Sequence, residues 1–223
     1  MNSKSDKQAK RTKGDATRQS IIDSAVKLFI ENGFSATTTR QITDDLEMTR
    51  GIIYNYFESK DEIFVAVINK YHPWLQIISS VKKANGDNLE TLVNNARNIL
   101  SKKWNKNPEM TRLHFIELVE FHGEHLAKLF DRVFNEMIEI LTKKVQDKEH
   151  LSSMRIATIS RALLGLFFAY LMSENFTGIN GEYNFNKGIK GIDFDYFSDI
   201  YLTGISEQLF SDKKQNGRDE NPS

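Results

Sequence analysis

A set of polar and aromatic side chains in the tract TRGIIYNYFESK is suited to contacting nucleic acid. Arg50 can bind the acceptors of guanine bidentately or bind a phosphate. The hydroxyls of Tyr54 and Tyr56 can donate hydrogen bonds to phosphate oxygens. Gly51 removes a side chain where a backbone would approach base edges closely, at some cost in helix propensity. Lys60 falls in the first turn of a predicted helix, where N–H groups and the helix dipole also favour an anion.

Two short predicted helices position these side chains. The hydrophobic spacing predicts helices over residues 39–46 and 50–57, and Glu47–Thr49 joins them. This is the spacing of a helix-turn-helix, whose second helix lies in the major groove of DNA. Ile53 and Phe57 are four residues apart, so they share a face and are expected to pack inward.

The outward face of the second helix carries the side chains that would meet DNA. Arg50 and Tyr54 are four residues apart and share this face. Tyr56 lies either on the surface or mostly in the core with its hydroxyl exposed. Thr38 and Thr49 precede the two helices, where a threonine either caps the helix or contacts the DNA backbone.

The whole ordered set resembles the TetR family of bacterial transcriptional regulators. The resemblance runs from Thr17 to Phe64 and is carried by TRQSIIDSAVKLFIENGFSATTTRQIT and TRGIIYNYFESKDEIF. It implies that Arg50 and Gly51 read bases, and that Arg40 reaches either a phosphate or a neighbour on its own helix. It also implies contacts to the DNA backbone from Thr38, Thr49, Tyr54, Asn55 and Lys60, with Tyr56 beside them.

The turn between the two short helices departs from the family pattern. The family commonly has glycine there, whereas this chain has Glu47. A residue with a side chain at this position predicts either a strained positive φ or a slightly different turn. Asp44, Asp45 and Glu47 also place negative charge near the proposed DNA surface, and the net charge of the chain is zero. We therefore expect weak non-specific DNA binding with a modest salt dependence.

The chain as a whole is predicted to be all-α. It has 223 residues, of which 39% are hydrophobic, and helical periodicity dominates. We expect a flexible basic arm over 1–16, the helix-turn-helix domain over 17–64, a helical ligand-binding and dimerisation domain over 65–212, and a polar tail over 213–223. The arm is either a solvated tail or a segment that follows DNA phosphates, because residues 1–18 hold six Lys/Arg and two Asp/Glu.

Helices are predicted along most of the chain. Pro73 falls inside the fourth and is expected to kink or break it near residues 71–73. Four glycines between residues 178 and 191 predict a loop before the last helix. The predicted helices span 17–32, 39–46, 50–57, 60–83, 88–104, 108–120, 123–147, 152–175 and 194–210.

Several other classes of protein have little support in the sequence. There are no cysteines, no basic-then-apolar signal segment and no apolar run long enough to span a bilayer, so we expect a cytoplasmic protein without membrane partners. His122 and His125 have a spacing that could suit a metal, but without cysteines we expect no metal site. No phosphate-binding glycine loop or nucleophile elbow is present, so neither an enzyme nor a cofactor is predicted.

The resemblance also implies a ligand cavity and a homodimer in the C-terminal part. Apolar walls with few polar groups are usual for small-molecule sites. The candidate pocket residues are Trp74, Trp104, His114, Glu117, Phe121, Phe134 and Phe168. In TetR-like proteins the last two long helices pair with a second subunit, and the candidate interface residues here are Ile159, Leu163, Phe167, Phe197, Tyr201 and Ile205. Part of each stripe is expected in the core of a single chain.

These features together predict a ligand-responsive repressor. The expected partners are double-stranded DNA with a palindromic operator, a small and largely apolar effector, and a second copy of the chain. The alternative is a helical module that binds a small molecule or a partner without specific DNA binding. Glu47 and the acidic helix predicted over 39–46 give that alternative slight support.

Overall fold

In the computed structural model the chain is helical, as its hydrophobic periodicity predicts. The structure describes residues 3–104, 108–146 and 151–178, and no strand occurs among them. The short 3₁₀ helix between α2 and α3 is called the reading helix below. In chain order the elements are α1 (Ser3–Asn32), α2 (Thr39–Asp45), the reading helix (Arg50–Asn55), α3 (Lys60–Tyr71), α4 (Pro73–Lys83), α5 (Leu89–Trp104), a 3₁₀ turn (Pro108–Thr111), α6 (Arg112–Glu120), α7 (Glu124–Leu141), a π-helical turn (Thr142–Gln146) and α8 (Ser153–Gly178).

The chain divides into two compact units. The first comprises Met1–Gln76 and Glu109–Arg132, and the second comprises Ile77–Pro108 and Val133–Ser223. The first unit therefore holds α6 and the start of α7 in addition to the N-terminal helices. It extends well beyond the segment 17–64 that the sequence suggested as a domain.

The N-terminal segment is helical from Ser3 onward. The sequence instead predicted a flexible arm over 1–16 and a helix beginning at residue 17. The helix can extend because residues 3–16 contain no proline and only one glycine, Gly14. Lysine, glutamine, alanine and arginine, which are good helix formers, make up much of the segment.

The core of the first unit follows the predicted helical spacing. Ile53 and Phe57 face inward and are almost fully buried, as their four-residue spacing predicts. They share this core with buried residues of the neighbouring helices. Burying a large apolar side chain of this kind stabilises the fold by roughly 1.5–3 kcal/mol. The buried residues of those helices include Ile21, Ala25 and Phe29 in α1, Ile42 in α2, and Ile63, Phe64 and Val67 in α3.

Pro73 separates α3 from α4. The helix predicted over 60–83 ends at Tyr71, and Pro73 opens the next helix. A proline lacks the N–H that would continue the helix and is favoured in the first turn of a new one. The imidazole of His72 takes a capping role, because its Nδ1 accepts a hydrogen bond from the Trp74 N–H at 3.3 Å.

The second unit corrects part of the predicted subunit interface. Ile159, Leu163 and Phe167 on α8 are 2%, 0% and 0% exposed in the single chain. They therefore belong to the core of this chain and not to a surface that a second subunit could cover. The exposed side of α8 includes Met154, which is 81% exposed. The other interface residues predicted from the sequence, Phe197, Tyr201 and Ile205, lie outside the described residues.

Candidate nucleic-acid interface

The reading helix presents the predicted DNA contacts on one surface. Arg50, Gly51 and Asn55 are exposed, and Tyr54 is 60% exposed. Ile53 on the opposite face is 1% exposed and anchors the helix to the core. The segment is a 3₁₀ helix and not the α-helix predicted over 50–57. Short 3₁₀ helices of this kind are common as connectors between α-helices.

Gly51 is not required by packing within the chain. A Cβ built at this position meets no atom within 4 Å. Its φ also lies outside the left-handed region that favours glycine. A glycine that neither packing nor backbone conformation demands fits a place where an external surface approaches the backbone.

The turn before the reading helix ends α2 with a Schellman motif. The Met48 N–H donates to the carbonyl of Thr43 at 2.8 Å, and the Glu47 N–H donates to the carbonyl of Asp44 at 3.1 Å. Glu47 has a φ of 52°, the left-handed conformation that glycine usually supplies at this place. The positive φ, the first of the two alternatives predicted from the sequence, is therefore present, and the turn keeps the geometry of a glycine turn.

The two threonines of the interface differ in their use. Thr38 is the N-cap of α2: its hydroxyl oxygen accepts from the Gln41 N–H at 3.2 Å, and its N–H donates to the Gln41 side chain at 2.7 Å. This is a capping box. Thr49 precedes the reading helix but makes no side-chain capping bond, and it is exposed. Its hydroxyl is therefore better placed than that of Thr38 for an external partner.

Arg40 contacts a neighbour on its own helix. Its Nε lies 3.4 Å from the Asp44 carboxylate, and both side chains are more than half exposed. An ion pair this exposed stabilises a protein by roughly 0–1 kcal/mol. A phosphate could therefore replace Asp44 as the partner of Arg40 at little cost. Tyr56 is half-buried, which is consistent with a ring partly in the core.

Lys60 has a structural role that the sequence did not reveal. Its ammonium donates to the carbonyls of Phe34 and Thr37, both at 2.8 Å, and lies 4.1 Å from the centre of the Phe34 ring. An ammonium has three donors, so these bonds leave one for a phosphate. The predicted DNA contact stays a prediction, and the residue first of all holds the turn between α1 and α2.

Arg18 is a further cation that sequence reasoning missed. Its guanidinium lies 4.6 Å above the ring of Phe57, just beyond the reading helix, and its side chain is exposed. Stacking on an aromatic ring restrains a guanidinium while leaving its N–H donors free to bind an anion. The signal was available only as one of the six basic residues near the N-terminus.

Two of the predicted pocket residues, Trp74 and His114, come together in the first unit beside His72, which the sequence prediction did not include. His72 is fully buried, and its Nε2 lies 3.1 Å from Nδ1 of His114. Because Nδ1 of His72 accepts from the Trp74 N–H, the proton of His72 is on Nε2 and is donated to His114. Burial lowers the pKa of His114 to about 4, and burial followed by the proximity of His114 holds the pKa of His72 well below its usual value. Both imidazoles are therefore neutral at pH 7.

Aromatic rings surround this histidine pair. The Trp74 ring lies 4.8 Å from His72, 5.7 Å from His114 and 5.1 Å from Phe130, each in a T-shaped arrangement. In a T-shaped arrangement the positive edge of one ring lies against the negative face of the other, which is a favourable contact. The cluster is therefore mostly aromatic, and its polar groups are the two imidazoles and the indole N–H.

Glu117 and Phe121 lie elsewhere than predicted. Glu117 is fully buried, and its carboxylate accepts from the backbone N–H of His125 at 2.7 Å and contacts its Nδ1 at 2.9 Å. It therefore caps the start of α7 instead of facing a ligand. The Phe121 ring stacks on Phe64 at 4.5 Å and lies 4.5 Å from Phe34, so it belongs to the aromatic core of the first unit.

Three further pocket residues were predicted from the sequence, and their role in a pocket stays a prediction. Phe134 and Phe168 are half-buried and belong to the second unit. The side chain of Trp104 lies outside the described residues. Within the part of the chain that the structure describes, no group of three or more His, Cys, Asp or Glu could hold a metal ion. Among the same residues, no helix is long and apolar enough to cross a membrane.

Sequence comparison identifies the N-terminal segment. A model of the family described as "Bacterial regulatory proteins, tetR family" matches residues 21–67. The "Probable acrEF/envCD operon repressor" of Escherichia coli (strain K12) is 47% identical over 58 residues, which are 25% of this chain and 26% of that protein. The HTH-type transcriptional regulator QacR of Staphylococcus aureus is 36% identical over 52 residues, 23% of this chain and 28% of QacR. The match thus spans about a quarter of each relative.

Solved structures share the fold over most of the chain. NalD, described as the secondary repressor of the MexAB-OprM multidrug efflux pump in Pseudomonas aeruginosa, has a TM-score of 0.55 and 18% identity, covering 86% of this chain and 97% of NalD. A TetR-like transcriptional regulator from Rhodococcus sp. RHA1 has a TM-score of 0.54 and 20% identity, covering 86% of this chain and 94% of that protein. At these identities the likeness extends to the fold alone.

Proposed function

We propose that this chain, which belongs to the tetR family of bacterial regulatory proteins, binds operator DNA through its helix-turn-helix and represses transcription until a small molecule releases it. The observation that carries the proposal is the division of the reading helix into two faces. Ile53 is buried in the core, whereas Arg50 and Tyr54 are exposed beside Gly51, a glycine that internal packing does not require. A guanidinium, a phenol and a bare backbone suit base edges and phosphates.

Dimerisation follows from the proposed mode of binding. A palindromic operator is read by two helix-turn-helix units related by two-fold symmetry, about 34–36 Å or a multiple apart. The Escherichia coli relative is a probable repressor by its description, which supports repression over activation. The expected assembly is a homodimer, and size-exclusion chromatography with light scattering measures its mass.

The proposed effector is small and largely apolar. The cluster of Trp74 and Phe130 around two neutral histidines supports this class of ligand, because neutral imidazoles repel neither apolar nor anionic groups. Such a ligand releases DNA only if it binds more tightly to the conformation of the protein that does not bind DNA. Native mass spectrometry of the purified protein is the test for a co-purified small molecule.

The experiment for DNA binding starts without a known operator. The wild-type protein selects duplexes from a random-sequence pool, and the affinities of variants for the selected duplex are then measured. Arg50→Ala and Tyr54→Ala are each expected to weaken binding about tenfold, since a lost base or phosphate contact costs roughly 1–3 kcal/mol. Lys27→Ala is the control, because Lys27 is an exposed residue of α1 and lies outside the helix-turn-helix. A pool from which nothing is enriched would favour a partner-binding module over a repressor.

A further inference from the structure

The turn between α1 and α2 leads directly into the helix-turn-helix. Gly33 follows α1 with a φ of 84°, and its N–H donates to the carbonyl of Phe29 at 2.9 Å. The buried hydroxyl of Thr37 donates to the carbonyls of Leu28 and Gly33 at 3.1 and 2.8 Å. The next residue, Thr38, is the N-cap of α2. The conformation of this turn therefore sets where α2 begins.

A carboxylate from a distant helix binds the N–H groups of this turn. The Glu120 Oε1 atom accepts from the Phe34 N–H at 2.8 Å, and Oε2 accepts from the Ser35 N–H at 2.6 Å. Successive N–H groups that converge after a left-handed residue form a concave site for an anion. Glu120 is the last residue of α6 and stands more than 80 residues further along the chain.

The environment of Glu120 keeps it ionised. Burial by itself raises the pKa of its carboxyl, but hydrogen bonds from Ser35 and Phe34, with the charge of Lys60, outweigh burial and lower the pKa below its usual value. Lys60 binds the carbonyls of Phe34 and Thr37 in the same turn. The turn is thus held by an anion from α6 on its N–H groups and by a cation from α3 on its carbonyls.

The end of α6 that carries Glu120 is itself firmly placed. The Phe121 ring contacts Phe34 and Phe64 at 4.5 Å each. Three residues before Glu120, the buried carboxylate of Glu117 binds the backbone N–H of His125 and so joins the end of α6 to the start of α7. These contacts hold the end of α6 in place. A displacement of α6 would therefore move the Glu120 carboxylate relative to the turn between α1 and α2.

We propose that Glu120 is a positioning residue for DNA binding: its carboxylate fixes the turn that leads into α2, so that the placement of α6 sets the placement of the helix-turn-helix. This inference rests on the proposed function. It assigns to Glu120 a role that depends on neither the ligand nor contact with DNA. The same helix, α6, also carries His114, whose ring lies against Trp74. Glu120 therefore connects the helix that holds His114 to the helix-turn-helix.

The test compares three variants. Glu120→Gln keeps the shape but loses one acceptor, and Glu120→Ala loses both, so the N–H groups of Phe34 and Ser35 are left without a carboxylate. Glu124→Gln is the matched control, because Glu124 is an exposed glutamate four residues further on. Amide hydrogen exchange at Phe34 and Ser35 reports the contact itself, and affinity for the duplex selected by the wild-type protein reports its consequence.

The expected result is a graded effect. Hydrogen exchange at the Phe34 and Ser35 amides should accelerate about tenfold or more in Glu120→Ala and less in Glu120→Gln. The affinity for the duplex should fall about fivefold or more in Glu120→Ala and less in Glu120→Gln. Both are measured well below the melting midpoint, where every variant is folded. A merely structural role would lower the midpoint and leave the affinity of the folded protein unchanged, which would overturn the proposal. So would unchanged exchange. If the wild-type protein selects no duplex, the proposed function fails, which is a distinguishable outcome.

Discussion

The left-handed conformation of Glu47 predicts that glycine at this position stabilises the protein. An L-residue in this conformation is strained by roughly 1–2 kcal/mol relative to glycine. Glycine gives back part of that gain through its larger entropy in the unfolded chain, roughly 0.5–1 kcal/mol. The net stabilisation expected for Glu47→Gly, with its φ of 52°, is therefore about 0.5–1 kcal/mol. For a chain of this size that raises the melting midpoint by about 1–4 °C.

Glu47→Gln separates strain from charge in this experiment. Both variants remove one negative charge near the proposed DNA surface, so both should bind a duplex more tightly at low salt. Only the glycine variant relieves the backbone, so only it should melt at a higher temperature by circular dichroism at 222 nm. If Glu47→Gly melts at or below the temperature of Glu47→Gln, the backbone strain inferred here does not contribute to stability.

Three further predictions concern charges. Arg18→Ala should reduce the slope of log K against log salt for duplex binding by the amount expected for about one phosphate contact, as measured by titrations at several salt concentrations. Lys27→Ala should leave this slope unchanged, because Lys27 lies about two and a half turns further along α1 and on its opposite side. Lys60→Met should lower the free energy of unfolding by about 1–3 kcal/mol through the loss of two hydrogen bonds from a charged group, and an unchanged midpoint would assign Lys60 to DNA alone. The free energy of unfolding should fall as the pH drops from 6.5 towards 4, because the unfolded chain binds protons that the folded His114, with a pKa of about 4, does not. His114→Asn should flatten that fall in denaturant titrations, and an identical pH profile would contradict the assignment.

Local interactions let the sequence alone predict the helix-turn-helix. The inward spacing of Ile53 and Phe57, the cap at Thr38 and the strain at Glu47 all arise between residues a few positions apart. Helical periodicity and capping are short-range, so they are legible without knowing what lies opposite. The break at Pro73 was legible for the same reason, since the missing N–H acts within one turn.

Some features of the first unit were settled only by tertiary structure. The sequence suggested that Lys60 faces DNA and that Phe121 faces a ligand, yet both lie against Phe34. No local pattern in the sequence indicates a role for Glu120, because its partners lie more than 80 residues away in the chain.

Which face of a helix meets which neighbour is decided by packing between distant parts of the chain. A stripe of apolar side chains on a long helix records that one face is buried, but not whether the cover comes from the same chain or a second one. That is why Leu163 and Phe167 were placed in a subunit interface and proved to be core. The sequence by itself predicted a short helix after Thr49 and its outward residues, but not that this helix is a 3₁₀ helix ending at Asn55. The tertiary structure decided what holds that helix in place, because ion pairs, caps and aromatic contacts across long sequence separations depend on the three-dimensional arrangement.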